Sequence, residues 1–306
     1  MSDSLYDVII VGAGPAGIQA AIHAARKKTR VLLLGRIASS ALYSAHVENY
    51  ACIDGVTEGR LLLEAGLTQA QRFGAEIASE DLLKISQQED GLFAAETEGG
   101  GVRLCRALIL AMGMAKTKLG VPGESEFTGR GVSYCVDCDA NFFRGATVLV
   151  AGNHSAAADG ALTLLDYASK VYLAAAELKV SDELLRRLHE SKVELLAGRR
   201  VQEIVGGENG VEAVRLDNGD EIKTEGVFIE LGSKGALQLA AQLGVQMDVE
   251  QFKHIEVNRR QETNIPGVYA AGDITGAPYQ MAKAVGEGCI AGMEAAMYAR
   301  RLKRQS

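Results

Sequence analysis

Short apolar runs, each followed by a turn and a helical pattern, recur along the chain and predict an α/β fold. Residues 6–11 form the first run, and a glycine-rich turn, an alanine-rich helix and a second apolar run at residues 31–34 follow it. The same order begins again at residues 147–151 and reaches an apolar run at residues 170–173. Such runs, alternating with helices, are typical of strand–helix–strand units in a parallel sheet.

Other stretches predict the elements that surround these two units. Residues 61–73 have the spacing of an amphipathic helix, and residues 77–102 are predicted to form short strands separated by glycine turns. Residues 107–113 and 263–273 each have the pattern of a strand, and both strands end at a glycine.

The turn after the first strand has the spacing Gly12-x-Gly14-x-x-Gly17. Gly12 permits a tight turn, Gly14 lets the backbone approach a pyrophosphate, and Gly17 lets the helix pack against the strand. The pyrophosphate then meets N–H groups at the helix N-terminus. The second strand ends in Gly35 and Arg36, in place of the carboxylate that usually binds the adenosine ribose of NAD. A flavin dinucleotide is therefore the better interpretation of this site.

Charge and hydropathy narrow the class of protein further. A net charge of −7 over 306 residues argues against a nucleic-acid partner. No apolar run approaches the roughly 18 residues that cross a bilayer, and no signal peptide precedes the first strand, so a cytoplasmic setting is expected. We interpret the basic run at residues 300–304 as the end of a solvated helix, with peripheral association with an anionic membrane as the alternative.

Five cysteines are present, and two of them, Cys135 and Cys138, form a Cys-x-x-Cys pair. Cys52, Cys105 and Cys289 are expected to be small buried or half-buried residues. A second cysteine pair is absent from the sequence and the five histidines are scattered, so no metal site is predicted.

The cysteine pair has a carboxylate on each side of its second thiol. Such a pair can close a readily exchanged disulfide, and its thiolate form attacks another disulfide or a flavin. Asp137, between the two cysteines, is expected to disfavour thiolate formation and to select a partner surface.

Four segments occur here in the order and spacing of low-molecular-weight thioredoxin reductases, which the chain resembles over nearly its whole length. They are Gly-Ala-Gly-Pro-Ala-Gly at residues 12–17, Val-Glu-Asn-Tyr at 47–50, Cys-Val-Asp-Cys-Asp at 135–139 and Pro-Gly-Val-Tyr-Ala-Ala-Gly-Asp at 266–273. The resemblance implies a homodimer whose subunits have two nested Rossmann-like, three-layer ββα dinucleotide-binding domains. Residues 1–115 and 245–306 would form the FAD-binding domain, and residues 116–244 an inserted NAD(P)-domain-like unit that carries the cysteine pair.

The resemblance also implies roles for individual residues. Cys138 would face the flavin, and Cys135 would exchange with the disulfide of a partner protein such as thioredoxin. Asp139 would move the proton that the exchange requires, and capping of a helix is its alternative or additional role. The implied FAD-binding residues are Gly12, Gly14, Pro15, Ala16, Gly17, Gly35, Arg36, Asn49, Gly113, Gly272, Asp273, Gln280, Met281 and Ala282.

The inserted unit departs from the NADPH-binding pattern of that family. His154 stands where the reductases have a glycine, and residues 174–176 are alanines where they have the His-Arg-Arg that binds the 2′-phosphate. NADPH is therefore not expected as the reductant. Glu177 would accept a ribose hydroxyl but repel a phosphate, which leaves NADH as the alternative nicotinamide.

These departures leave the electron partner open. Within the family, the chain resembles offshoots that do not use NADPH: ferredoxin-linked reductases of clostridia, a deeply rooted cyanobacterial form, and cyanobacterial diflavin-linked disulfide oxidoreductases. The lack of an evident tail after the last predicted helix favours the diflavin type, with two FAD per monomer. The alternatives are a ferredoxin- or NAD(P)H-dependent thioredoxin reductase, a quinone-type acceptor, and a non-catalytic flavin-binding sensor or scaffold.

Overall fold

The structure is a computed structural model that describes residues 5–114, 118–232, 234–248 and 253–305. In chain order the strands are β1 (Leu5–Val11), β2 (Val31–Leu34), β3 (His46–Val47), β4 (Thr57–Glu58), β5 (Glu76–Ala78), β6 (Leu82–Gln87), β7 (Phe93–Thr97), β8 (Val102–Leu110), β9 (Val132–Ser133), β10 (Thr147–Ala151), β11 (Lys170–Ala175), β12 (Glu194–Ala197), β13 (Val201–Gly207), β14 (Gly210–Leu216), β15 (Glu221–Lys223), β16 (Gly226–Ile229) and β17 (Val268–Ala270). The α-helices are α1 (Pro15–Arg26), α2 (Gly59–Arg72), α3 (Val136–Asp139), α4 (Ser155–Leu164), α5 (Asp182–Glu190), α6 (Ala236–Gln242) and α7 (Met281–Gln305).

The chain divides into two compact units. Unit 1 comprises Met1–Thr97, Gly101–Ala115 and Gly235–Ser306, and unit 2 comprises Glu98–Gly100 and Lys116–Lys234. The predicted boundary between residues 115 and 116 lies outside the described residues.

The return to unit 1 comes ten residues earlier than the predicted boundary at residue 245. The reason is α6, whose residues Leu239 and Ala240 are buried in the core of unit 1. Gln242, at the end of α6, also accepts a hydrogen bond from the backbone N–H of Ile85 in β6. Helix α6 is short, so its apolar pattern in the sequence did not indicate which of the two units it belongs to.

Unit 1 is built on a sheet whose strands, within the described residues, run β5-β2-β1-β8-β7-β6, with β17 also paired to β8. The strands β5, β2, β1, β8 and β17 are parallel, whereas β6 and β7 form an antiparallel extension. Side chains of β1 are buried on both faces, because Val8 and Ile10 face one core and Ile9 and Val11 face the other. Burial on both faces explains why this strand has a continuous apolar run instead of alternation.

Helices α1 and α7 pack closely on one face of this sheet. A Cβ atom at Gly288 would lie 2.1 Å from the carbonyl oxygen of Ala16, and one at Gly292 would lie 2.3 Å from that of Ala20. Small residues on both helices therefore permit backbone contact, and this packing places the start of α7 beside the start of α1.

Unit 2 has a parallel sheet with the order β12-β11-β10-β16-β9 over the residues described there. The antiparallel strands β13, β14 and β15 form a second sheet, and apolar side chains of β13 and β14 share a core with Leu149 and Ala151 of β10. Helix α4 also packs on β10 and β11. Two sheets and a helical layer give the predicted three-layer ββα arrangement.

The two predicted strand–turn–helix–strand units are confirmed as β1–α1–β2 and β10–α4–β11. The predicted amphipathic helix at residues 61–73 is α2, Gly59–Arg72. The basic run at residues 300–304 lies in the last turns of α7. In the part of the chain that the structure describes, no helix is both long enough and apolar enough to pass through a bilayer.

Candidate functional site

The turn between β1 and α1 has backbone geometry that requires its glycines. Gly12 has φ of 112°, and a Cβ atom there would lie 2.3 Å from the carbonyl oxygen of Ala111. A Cβ atom at Gly17 would lie 1.8 Å from the carbonyl oxygen of Gly12. At Gly14 the nearest protein atom would be Ser40 Oγ at 3.4 Å, so the chain leaves space beside this backbone. Open space at the start of a helix suits the approach of a pyrophosphate.

The start of α1 and the end of β2 complete this turn. Gly14 is the residue before the helix, and Pro15 occupies its first turn, where a missing N–H costs nothing. Gly35 has φ of 131° and lies against the turn, since a Cβ atom there would be 3.1 Å from the backbone nitrogen of Ala13. Arg36 Nη1 is 2.7 Å from the buried Asp81 Oδ2, so this ion pair positions the arginine at the mouth of the turn.

Residues distant in sequence meet the same turn. A Cβ atom at Gly272, where φ is 90°, would lie 3.0 Å from Cβ of the buried Ala16, so Gly272 packs directly on α1. Gly113, with φ of 67°, follows β8, the strand next to β1. The side-chain amide of Asn49 donates to Gln280 Oε1 at 3.3 Å, across 231 residues of sequence. Unit 1 thus places Gly272 against the start of α1 and Gly113 after the strand next to β1, and it joins Asn49 to Gln280.

The first turns of α7 hold the segment around Asp273. Met281 and Ala282 begin the helix. Lys283 Nζ donates to the carbonyl oxygens of Gly272 at 2.8 Å and Gly276 at 2.7 Å. Lys283 and Glu287 were missed by sequence reasoning, although their spacing of four residues at a helix start was an available signal.

Glu287 joins this network from one turn further along α7. It accepts hydrogen bonds from the backbone N–H of Gly272 and the hydroxyl of Thr275, both at 2.8 Å. Burial raises the pKa of Asp273, Lys283 opposes that rise, and Glu287 adds to it. Without a ligand, the protein disfavours the charged form of this carboxyl group. Hydrogen-bond donors of a ligand would stabilise that form.

These features fit FAD. The strained glycine turn has space at its helix N-terminus, and Asp273 offers hydrogen-bond acceptors on the same sheet edge.

The cysteine pair lies in unit 2, in the short helix after β9. Cys135 and Cys138 form a disulfide with a Cα–Cα distance of 5.3 Å. Cys135 is the N-terminal capping residue of α3, and the backbone N–H of Cys138 lies 3.1 Å from its Sγ. Cys138 is exposed and Cys135 is half-buried.

Hydrogen bonds position the residues around this disulfide. The hydroxyl of Ser133 donates to Asp139 Oδ2 at 2.6 Å. The backbone N–H of Cys135 donates to Ser133 Oγ at 3.1 Å, so one serine ties the carboxylate to the start of the helix. The cap of α3 is Cys135, and no side-chain capping bond from Asp139 is observed at the following 3₁₀ turn.

Asp137, which is expected to disfavour thiolate formation and to select a partner surface, takes part in an ion pair. Lys234 Nζ lies 3.0 Å from Asp137 Oδ2 and 2.9 Å from Asp159 Oδ2 of α4. Burial disfavours the charged lysine, but the two carboxylates outweigh it and hold the pKa of Lys234 above its ordinary value. This ion pair joins residues 97 positions apart, so the sequence pattern gave no sign of it.

The second glycine turn, between β10 and α4, keeps the close backbone contact of the first turn but has a histidine in place of its second glycine. A Cβ atom at Gly152 would lie 2.0 Å from the carbonyl oxygen of Glu230, as close as at the first turn. His154 precedes α4, and its Nδ1 lies 2.8 Å from Asn153 Oδ1. An imidazole therefore occupies the position where the first turn has Gly14.

The end of β11 has alanines at the three positions where His-Arg-Arg is expected in an NADPH-binding unit. Ala174 and Ala175 are buried, and Ala176 is exposed. Glu177 follows them, exposed, with Lys179 Nζ 3.6 Å from its Oε2.

The remaining cysteines are placed as follows. Cys105 is buried in β8, and burial raises the pKa of its thiol to about 12. Cys289 is partly buried in α7. The expectation for Cys52 was wrong, because it is exposed in the loop between β3 and β4 with φ of 72°.

Two doubly wound units in one chain, one with a dinucleotide turn and the other with an exchangeable disulfide, are the architecture of flavoprotein disulfide oxidoreductases. The chain belongs to the pyridine nucleotide-disulphide oxidoreductase family, which matches residues 6–288. The chain is 33% identical to a thioredoxin reductase of Listeria innocua over 98% of its length and 96% of the relative.

Solved structures agree with this assignment. The atypical thioredoxin reductase of Desulfovibrio vulgaris Hildenborough has a TM-score of 0.82 and 34% identity, over 96% of this chain and 98% of that one. A ferredoxin-flavin thioredoxin reductase from Clostridium acetobutylicum has a TM-score of 0.68 and 35% identity, over 98% and 99%. The predicted fold class and the predicted enzyme class, an FAD-dependent disulfide oxidoreductase, are thereby confirmed.

Proposed function

We propose that this protein exchanges two electrons between FAD and the Cys135–Cys138 pair, and that NADPH does not supply them. The second glycine turn carries this proposal, because His154 fills the place of the glycine that a pyrophosphate needs. The exposed position at the end of β11 is Ala176, which offers no donor to a 2′-phosphate.

The chain's own residues have distinct parts in this function. The glycine turn of residues 12–17, with Gly272 and Asp273, would hold FAD, which supplies two-electron chemistry. Cys135 would exchange with a disulfide or dithiol protein such as thioredoxin, and Cys138 would communicate with the flavin. Asp139, oriented by Ser133, would hold or release the proton that each thiol exchange requires. A homodimer is the proposed assembly.

The electron partner in this proposal is a second FAD, a ferredoxin or a quinone-type acceptor. A second FAD is the partner we favour from the sequence pattern. The similarity to a solved ferredoxin-flavin thioredoxin reductase supports ferredoxin as the next candidate.

A nicotinamide-dependent reductase is the second candidate function. The observation that favours it is Glu177, whose exposed carboxylate stands just past the end of β11, where it can accept a ribose hydroxyl of NADH.

The flavin content and its response to NADPH test these candidates. We expect purified protein to retain its flavin absorbance at 450 nm after anaerobic addition of NADPH. About two flavins per monomer would identify the diflavin type, and about one would direct the search to ferredoxin. Rapid, stoichiometric bleaching by NADPH would overturn the proposal, and bleaching by NADH alone would support the second candidate.

A dithiol reductant tests the role of the cysteines separately. Dithiothreitol is expected to bleach the flavin of the wild-type protein through the pair. The Cys138→Ser variant should bleach at least about tenfold more slowly, while Cys52→Ser, which changes an exposed cysteine outside the pair, should behave as wild type. Equal bleaching by wild type and Cys138→Ser would support a non-catalytic flavoprotein.

A further inference from the structure

The helix that carries the disulfide is held by the segment that closes unit 2. Glu230, just after β16, accepts a hydrogen bond from the backbone N–H of Val136 at 2.9 Å. Four residues later, Lys234 binds Asp137. Two successive residues between the cysteines are therefore bound by one short segment, and neither contact belongs to the glycine turns.

Lys234 is buried and its environment is acidic. Only 5% of the surface of Lys234 is exposed. The charged groups that face α3 are Asp137 and Asp139 on the helix, Asp159 on α4, and Glu230 and Lys234 after β16. Lys234 is the only cation of these five. An ammonium group buried in this way persists as a charge only because carboxylates surround it.

We propose that Lys234 is a positioning residue for the disulfide exchange. Its ammonium group offsets the negative charge of Asp137, so that the cysteine pair can form a thiolate. Because this role rests on the proposed redox function of the pair, it deepens that function by naming what controls its reactivity. Without the lysine, the carboxylate of Asp137, next to Cys138 in the sequence, would lose a counter-charge 3.0 Å away and would repel a developing negative charge more strongly.

The exchange itself shows why the charge matters. A thiolate of the reduced pair bonds to one sulfur of the substrate disulfide, while the substrate S–S bond breaks and the released thiolate takes up a proton. The second cysteine then attacks the mixed disulfide, which closes Cys135–Cys138 and releases the second substrate thiol. The pair loses two electrons and the substrate gains them, so the rate depends on the thiolate fraction of the pair.

Opposite charge changes should shift the thiol pKa in opposite directions. Lys234→Met is expected to raise the apparent pKa of the pair by about one unit, because Asp137 loses its counter-charge. Asp137→Asn is expected to lower that pKa by a similar amount, because Lys234 then acts on the thiolate without Asp137. The double variant should lie between them, and Lys234→Arg should retain a value close to wild type.

The measurement is the pH dependence of alkylation in the reduced holoprotein. Iodoacetamide labelling resolved by peptide mass spectrometry follows Cys135 and Cys138 separately from Cys52 and Cys289. Lys170→Met is the matched control, since Lys170 Nζ lies 3.0 Å from Glu194 Oε1 at the exposed edge of unit 2. It should leave the thiol pKa unchanged.

A purely structural role predicts a different result. If Lys234 only holds the fold, Lys234→Met and Asp137→Asn lower the melting temperature while the thiol pKa stays at its wild-type value, and the inference is overturned. Should Lys234→Met fail to fold, Asp137→Asn alone decides, because an unshifted or raised thiol pKa contradicts the role. The dithiothreitol experiment on Cys138→Ser reports separately on whether the pair serves the flavin at all.

Discussion

The two glycine turns of this chain share a close backbone contact, although Gly12 has φ of 112° and Gly152 has no positive φ, and their surroundings differ. At both, a Cβ atom on the turn glycine would overlap a carbonyl oxygen of a neighbouring strand or its continuation, at 2.3 Å for Gly12 and 2.0 Å for Gly152. The first turn then leaves open space at Gly14, whereas the second places the imidazole of His154 there. Both turns therefore need their first glycine for the fold, and under the proposed function only the first turn also accommodates a dinucleotide.

This difference separates two causes of glycine in a strand–turn–helix unit. Gly12, Gly17 and Gly152 are needed because protein atoms leave no room for a side chain. Gly14 has room, so its lack of a side chain serves a ligand. In the proposed function, the side chain of His154 at the equivalent place in unit 2 is what keeps a dinucleotide pyrophosphate out.

The largest expected effect comes from adding a side chain to the first glycine turn. In Gly17→Ala the new Cβ would lie 1.8 Å from the carbonyl oxygen of Gly12, so the turn must open and we expect the FAD content to fall at least about tenfold. The ratio of absorbance at 450 nm to that at 280 nm measures it. Ala157→Gly in the second turn is the matched control and should keep its FAD. Full FAD content in folded Gly17→Ala would show that this glycine turn does not bind the FAD pyrophosphate.

Reopening the second turn should give the next largest effect. The double variant His154→Gly/Ala176→Arg is expected to gain NADPH-driven flavin reduction about tenfold, because one charge-assisted phosphate contact is worth about 1.5–3 kcal/mol. Ala176 is chosen because it is exposed, whereas Ala175 is buried.

Stopped-flow absorbance at 450 nm follows the reaction, and NADH serves as the control substrate without a 2′-phosphate. His154→Gly/Ala176→Gln should gain less with NADPH. No gain in either variant would show that the lost side chains are not the main obstacle.

A smaller effect is expected from removing the carboxyl group of Asp273 in unit 1. Burial raises the pKa of Asp273, so its charged form is disfavoured in the folded apoprotein. Well below the unfolded pKa of about 3.9 the folded and unfolded chains are both protonated there, and the destabilisation develops as the pH rises from the unfolded pKa to the higher folded pKa. Asp273→Asn should therefore melt roughly 1–3 °C higher than wild type at pH 7 as apoprotein, and the gap should close at about pH 3.

Thermal melts of both apoproteins at the two pH values check this sign. The same variant should bind FAD more weakly. A lower melting temperature for Asp273→Asn at pH 7 would show that Lys283 stabilises the carboxylate more than burial penalises it.

The smallest expected effect is that of Glu177→Ala in unit 2. The side chain is 75% exposed, so its removal should change the free energy of unfolding by less than about 0.5 kcal/mol. Flavin reduction by NADPH and by NADH should stay at the wild-type level in anaerobic mixing. A several-fold loss of reduction by NADH would instead favour the nicotinamide-dependent candidate.

The sequence alone determined what depends on neighbours along the chain. Both strand–turn–helix–strand units, the glycine positions of the first turn and the Cys-x-x-Cys pair follow from patterns of a few residues, since strand and helix periodicity and tight turns are local properties. The imidazole at the second turn was visible for the same reason. Resemblance then extended these patterns to Asn49, Gly272 and Gln280.

Only the tertiary structure decided what depends on residues far apart in the chain. The contact of Asn49 with Gln280, the hold of Lys283 and Glu287 on Gly272, and the exposure of Cys52 arise from packing between elements. The clearest case is Asp137, whose charge looked adverse in the sequence and which forms an ion pair with Lys234 in the fold. Electrostatics acts through space, so the meaning of a charged residue is settled by its neighbours in three dimensions.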